Sequence, residues 1–199
     1  GKTTTLKSVV GILQFDQGEI TIGGKSIKTD PLACKRLLAY IPDNPDLYDY
    51  MTGIKYLNFI ADVFGVDSAV RTAKIDEYAT RFEIKNNLGD MIGSYSHGMK
   101  QKLVLISAFL HSPKLLVMDE PFVGLDPKAG FEVKQIMREM CSEGTAIFFS
   151  THVLEVAEKL CNKVAIIKDG KLVVCGDTES IVAGGSLESV FLNSEEVQS

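Results

Sequence analysis

The sequence predicts an α/β domain: a mostly parallel sheet with flanking helices, a partial antiparallel β segment and an inserted helical lobe. Three observations carry that prediction. Leu115-Leu-Val-Met118 is an uninterrupted apolar strand, as a parallel strand covered on both faces requires. Strand and helix patterns alternate from Ser96 to Leu160, as in a doubly wound sheet. The stretch from Thr52 to Phe82 has a helical pattern, with a break at Gly65 and no strand pattern.

The elements follow in order. Thr3 to Val10 is a helix closed by Gly11, a residue that tolerates the left-handed conformation of a helix end. Gly18 to Gly24 alternates apolar and polar residues between glycines and reads as a half-buried antiparallel strand. Asp30-Pro31 supplies a cap and a first-turn proline for a short helix to Leu38, and Ala39-Tyr-Ile is a strand stopped by Pro42. The helical stretch that follows breaks at Gly65, with caps at Thr52 and Asp67. Ser96 opens an apolar helix to Leu110, and Asp126-Pro127 opens another whose Val133, Ile136, Met137 and Met140 share one face. Ala146 to Phe149 reads as a second buried strand, followed by a helix with Val153, Val156, Ala157 and Leu160 on one side. Asp169-Gly170 between two apolar runs predicts a hairpin.

With 199 residues the chain has the size of one domain, and its formal net charge of -5 leaves no broad basic face for nucleic acid. The apolar run around Leu103 to Leu110 falls well short of the roughly 20 residues a membrane span needs. Cys34, Cys141, Cys161 and Cys175 form no C-x-x-C pair and have no histidine at metal-ligand spacing, which reads as reduced thiols. The start at Gly1-Lys2-Thr3-Thr4, without methionine or apolar leader, predicts a fragment.

Three segments carry chemistry. Gly1-Lys2-Thr3-Thr4 ahead of a helix matches the end of the phosphate loop G-x-x-x-x-G-K-[ST], where the lysine reaches the outer phosphates and the hydroxyl binds magnesium. Alone, those four residues fit a frayed terminus as well. The second segment is Asp119-Glu120, two carboxylates at the C-terminal end of the apolar strand, the edge where ligands sit in an open α/β sheet. Asp119 is placed to hold magnesium, and Glu120 to orient or deprotonate an attacking water. The third is Tyr95-Ser96-His97-Gly98-Met99-Lys100-Gln101 at the start of a helix, where a hydroxyl, free N–H groups and the positive end of a dipole suit a γ-phosphate.

This third segment resembles the L-S-G-G-Q signature of ATP-binding cassette (ABC) proteins. Val123-Gly124-Leu125-Asp126 resembles the loop that follows the family's catalytic glutamate, and Ser150-Thr151-His152 resembles its switch histidine. The resemblance covers essentially the whole chain and implies a phosphate-loop (P-loop) NTPase fold. It implies a single domain over 1–199 that lacks its N-terminal strands, with a helical subdomain inserted at about 46–112. The implied ligands are ATP and Mg2+. Gly1, Lys2, Thr3 and Thr4 would bind the chain's own nucleotide; Ser96, Gly98 and Asp126 would bind a partner's. Thr3, Asp43 and Asp119 would hold the metal, and Glu120 and His152 would be catalytic. Such cassettes close two ATP molecules between a pair of subunits and bind a membrane-spanning permease subunit. That places the chain at the cytoplasmic face of the membrane, peripheral through the permease.

The C-terminal pattern from Gly170 to Ile181 and Ser186 to Leu192 is similar to export cassettes. Two departures stand out: Asp43 replaces the family's usual glutamine, and His97 a signature glycine. Competing readings are a soluble cassette of the translation-factor kind and a regulatory cassette that binds nucleotide without hydrolysis. A chromosome-maintenance cassette needs a coiled coil between Lys2 and Ser96, and no heptad run occurs there. Without the glycine-rich half of its loop, the polypeptide is expected to bind its own ATP poorly and to be inactive alone.

Overall fold

A computed structural model describes residues 1–183 and 185–196. Positions 184 and 197–199, inside the expected single domain, lie outside the described residues. The centre is a parallel sheet of β3 (Leu38–Ile41), β4 (Leu115–Asp119) and β5 (Ala146–Ser150), in that spatial order. Leu38 pairs with Leu115, and Leu115 with Ala146, so the three strands start level, and β4 and β5 run one residue past β3 to end together at Asp119 and Ser150. Because side chains alternate across a strand, the sheet serves two cores. Ala39, Ile41, Leu116 and Met118 face one cluster; Leu38 and Val117 face the other.

The second cluster is covered by α1 (Lys2–Val9), α2 (Pro31–Leu37) and a hairpin of β1 (Thr21–Ile22) with β2 (Lys25–Ser26). The single strand expected over 18–24 is therefore a hairpin. Its turn falls on Gly23 and Gly24, both at positive φ (58° and 77°), the geometry that a two-residue type I′ turn needs and that an alternating pattern does not reveal. Asp30 caps α2 by accepting the Ala33 N–H at 3.3 Å, as expected.

The first cluster joins the sheet to α3 (Gly53–Val63), α4 (Ser68–Arg81), α5 (His97–Phe109) and α6 (Pro127–Ser142). Thr52, Asp67, Ser96 and Asp126 each accept a backbone N–H at the start of these four helices. Leu57 and Ala61, Ile75 and Ala79, and Leu103 and Ile106 meet Ile41, Met118, Val133 and Ile136 in one continuous core.

β5 departs from expectation. Ile147 and Phe149 pack on the core, but the opposite face is open, with Phe148 41% exposed. Across that face stand α7 (Leu154–Leu160) and the antiparallel pair β6 (Lys163–Lys168) and β7 (Lys171–Asp177), then α8 (Thr178–Val182) and α9 (Leu187–Glu196). A cavity of about 820 Å³ lies between β5 and β6, lined by Phe148, Ala157, Leu160, Ile166 and Leu187. No residue of α7 is buried: of the face expected for this helix, Ala157 and Leu160 line the cavity, whereas Val153, ahead of the first turn, is 42% exposed. The hairpin expected at Asp169-Gly170 is present, with φ of 48° and 75°.

Candidate active site

The carboxyl ends of the parallel strands bring Lys2, Asp119, Glu120, Ser150 and His152 together. Asp119, the last residue of β4, is 2% exposed and pairs in register with Ser150, the last of β5. The Ser150 hydroxyl donates to Asp119 Oδ1. It also accepts the Glu120 N–H at 3.3 Å, which the Ser150 carbonyl shares at 3.2 Å. These bonds hold Glu120 at φ 49°, a left-handed conformation that costs a non-glycine residue about 1–3 kcal/mol. The turn directs the Glu120 carboxylate, 16% exposed, between His152 Nδ1 at 3.0 Å and Lys2 Nζ at 3.7 Å. Lys2 Nζ also donates to the Thr151 carbonyl at 3.3 Å. Lys2 comes from the first turn of α1, whose N-terminus has no side-chain cap, so its early N–H groups remain available to an anion.

The buried Asp119 Oδ2 has no hydrogen-bond partner. A carboxylate oxygen withdrawn from water in this way fits a divalent cation. Among the described residues, no group of three or more His, Cys, Asp or Glu could hold a metal ion. A cation on Asp119 would therefore have at most one further carboxylate and complete its shell with hydroxyl, water and phosphate oxygens. Thr3, on the exposed first turn of α1, and Asp43, exposed just beyond β3, are the remaining candidates. Tyr40 on β3 has a buried hydroxyl without a partner. Burial, then the negative charges of Asp119 and Asp43, push its pKa up, so both carboxylates lie within electrostatic reach of one phenol.

Ser96, Gly98 and Asp126 assemble separately, at the starts of α5 and α6. The Ser96 hydroxyl accepts the Met99 N–H at 3.2 Å. A Cβ on Gly98 would stand 3.0 Å from the Gly124 carbonyl oxygen, so the glycine permits close packing of the start of α5 against the loop at Gly124. Asp126 accepts the Ala129 N–H at 2.9 Å and pairs with Lys102 at 2.8 Å. The Lys102 hydrogen bond, then that of Ala129, pull the Asp126 pKa down. No motif in the sequence assigns a role to Ser150, Tyr40 or Lys102. For Ser150 a signal existed: matching the ends of two parallel strands sets it level with Asp119.

A sequence profile described as ABC transporter matches residues 1–123. The chain belongs to the ABC transporter family. It is 39% identical over 181 residues to the uncharacterized ABC transporter ATP-binding protein YxlF of Bacillus subtilis, covering 91% of this chain and 59% of that protein. It is 32% identical over 172 residues to the ABC-type transporter ATP-binding protein EcsA of the same organism, covering 86% of this chain and 70% of that one. A solved structure described as the ATP binding subunit of an ABC transporter superposes with a TM-score of 0.94 at 32% identity, covering 98% of this chain and 83% of the other. ABC ATP-binding domains are in general ATPases that dimerise and partner with membrane permeases. Among the described residues, no helix of this ABC chain is long and apolar enough to cross a membrane.

Proposed function

We propose that the chain is the ATP-hydrolysing part of an ABC transporter subunit that works as one of a pair and powers export. The observation that carries this reading is the seat of Glu120, held between His152 and Lys2 beside a buried aspartate with one unpartnered oxygen. Lys2 and the first N–H groups of α1 bind the outer phosphates of ATP. In leaving Glu120 for phosphate, Lys2 frees that carboxylate to accept a proton from the attacking water. His152 keeps Glu120 oriented through Oε2 and reaches toward the γ-phosphate. Mg2+ held by Asp119, with Thr3 and Asp43, would neutralise charge developing on the transferring phosphoryl group. Ser96, Gly98 and Asp126 of a second cassette, identical or not, close over the same ATP, so that binding favours the closed pair and hydrolysis reopens it.

The helices of about 46–112 form a subdomain that meets the permease. A groove of about 380 Å³ between them and the β3 edge is lined by Pro45, Leu47, Tyr56, Ile60, Phe64 and His111, a fit for a short cytoplasmic helix. Export is supported by the C-terminal pattern. The subunit then sits at the cytoplasmic face of the membrane, held there by the permease.

The test is Glu120→Gln in the full-length subunit. Turnover is expected to fall by at least about 100-fold, while ATP traps a dimer visible by size-exclusion chromatography with light scattering. Retained turnover removes Glu120 as the base. Asp43 and His97 motivate the regulatory alternative, which predicts ATP binding without turnover by the unsubstituted subunit.

A further inference from the structure

His97 and Gly124 fit one another. A Cβ built on Gly124 would lie 2.6 Å from His97 Cδ2 and 2.8 Å from Nε2, distances that only a glycine avoids. The imidazole, on the first turn of α5, therefore rests directly on the Gly124 backbone. Gly124 also has φ 78°, so the loop bends at the point where the ring meets it. Two residues further along the loop, Lys102 of the same helix pairs with Asp126 at 2.8 Å. Helix α5 thus grips the loop at both 124 and 126.

The loop is short and tied to Glu120. The Val123 N–H donates to the Glu120 carbonyl at 3.1 Å, and the Leu125 N–H to Phe122 at 3.4 Å. These two bonds flank Gly124 and tie the loop on both of its sides back toward Glu120.

We propose that His97 is a positioning residue: its ring seats Gly124 on helix α5, so that the Ser96 surface and Glu120 move as one unit. This rests on the reading of Glu120 as the base and of Ser96 as the surface for a partner's ATP. The consequence is specific to a pair. When Ser96 closes on the partner's nucleotide, α5 carries the 121–125 loop with it and sets Glu120 toward the chain's own ATP.

The experiment uses the full-length subunit, with ATPase rates measured across ATP concentration and thermal unfolding followed in parallel. His97→Gly removes the ring. The expected result is kcat lower by about 10- to 100-fold, the cost of a misplacement near 1 Å, with KM and Tm little changed. His97→Phe, which keeps a flat ring over Gly124, is expected to restore most of the lost kcat. Gly124→Ala is expected to impair turnover, and His97→Gly in that background to add little further loss, because both substitutions act on one contact. Unchanged kcat in His97→Gly, failure of His97→Phe to rescue, or additive losses in the double variant each overturn the proposal. If Glu120→Gln is inactive while His97→Gly is not, this inference fails alone; if Glu120→Gln turns over, both readings fail.

Discussion

Ser150 shows how much of the site depends on one hydroxyl. It donates to Asp119 and braces the strained Glu120 N–H, so Ser150→Ala leaves a second unpartnered oxygen on a buried aspartate. Outer-shell changes of this kind typically weaken metal binding by about 10- to 100-fold. Titration of the nucleotide-loaded, full-length subunit with Mn2+, read by electron paramagnetic resonance, should show a loss in that range. His111 offers a pH test. Its ring stacks on Phe64 with centroids 3.7 Å apart and bonds the Leu38 carbonyl at 3.2 Å. A carbonyl only accepts, so Nε2 carries the proton and Nδ1 is bare, buried and unpartnered. Burial lowers the pKa from its ordinary value of 6.5, so below that pH the unfolded chain takes up a proton more readily than the folded one. Stability from this group is full above about pH 6.5 and lost as pH falls toward the depressed folded value. His111→Phe should flatten the acid limb of unfolding free energy against pH, followed by urea denaturation at each pH.

Among the elements, α4 and α6 are tied by charge. Arg81 donates to Glu132 at 2.8 Å and to both oxygens of Glu139 at 2.7 and 3.1 Å, across the seam between the helices that follow β3 and the one that follows β4. The Glu139 hydrogen bonds, and after them those of Glu132, hold the guanidinium pKa above its usual range, while Arg81 in turn lowers that of Glu139. Both carboxylates reach solvent, so screening reduces the contribution. Arg81→Met should destabilise the fold by about 1 kcal/mol in low salt and by less in molar salt, measured by chemical denaturation. Strand β5 carries a different expectation. Among the described strands it pairs only with β4, so hydrogen exchange should alternate along it: slow at amides bonded to β4, fast at those facing the cavity.

At the scale of the whole molecule, the amides of β4, bonded on both sides and covered on both faces, should be the slowest to exchange. The β6–β7 pair, with a single buried residue in Ile166, should open earlier. Much of this architecture was legible beforehand. Helix starts at Asp30, Thr52, Asp67, Ser96 and Asp126 lie where a capping side chain meets a periodic run, and the fully apolar Leu115–Met118 segment announced a strand covered on both faces. Such signals are local: they depend on residues within one turn or one strand. Sequence by itself therefore determined the order of the main helices and of the central strands, the ABC motifs and the identity of the candidate lysine, carboxylates and histidine. Tertiary structure alone decided that β5 is open on one face, because burial depends on what stands opposite. It also decided that Ser150 meets Asp119, which depends on strand register, and that His97 lies on Gly124, which depends on helix α5 and the loop approaching closely enough to exclude a Cβ.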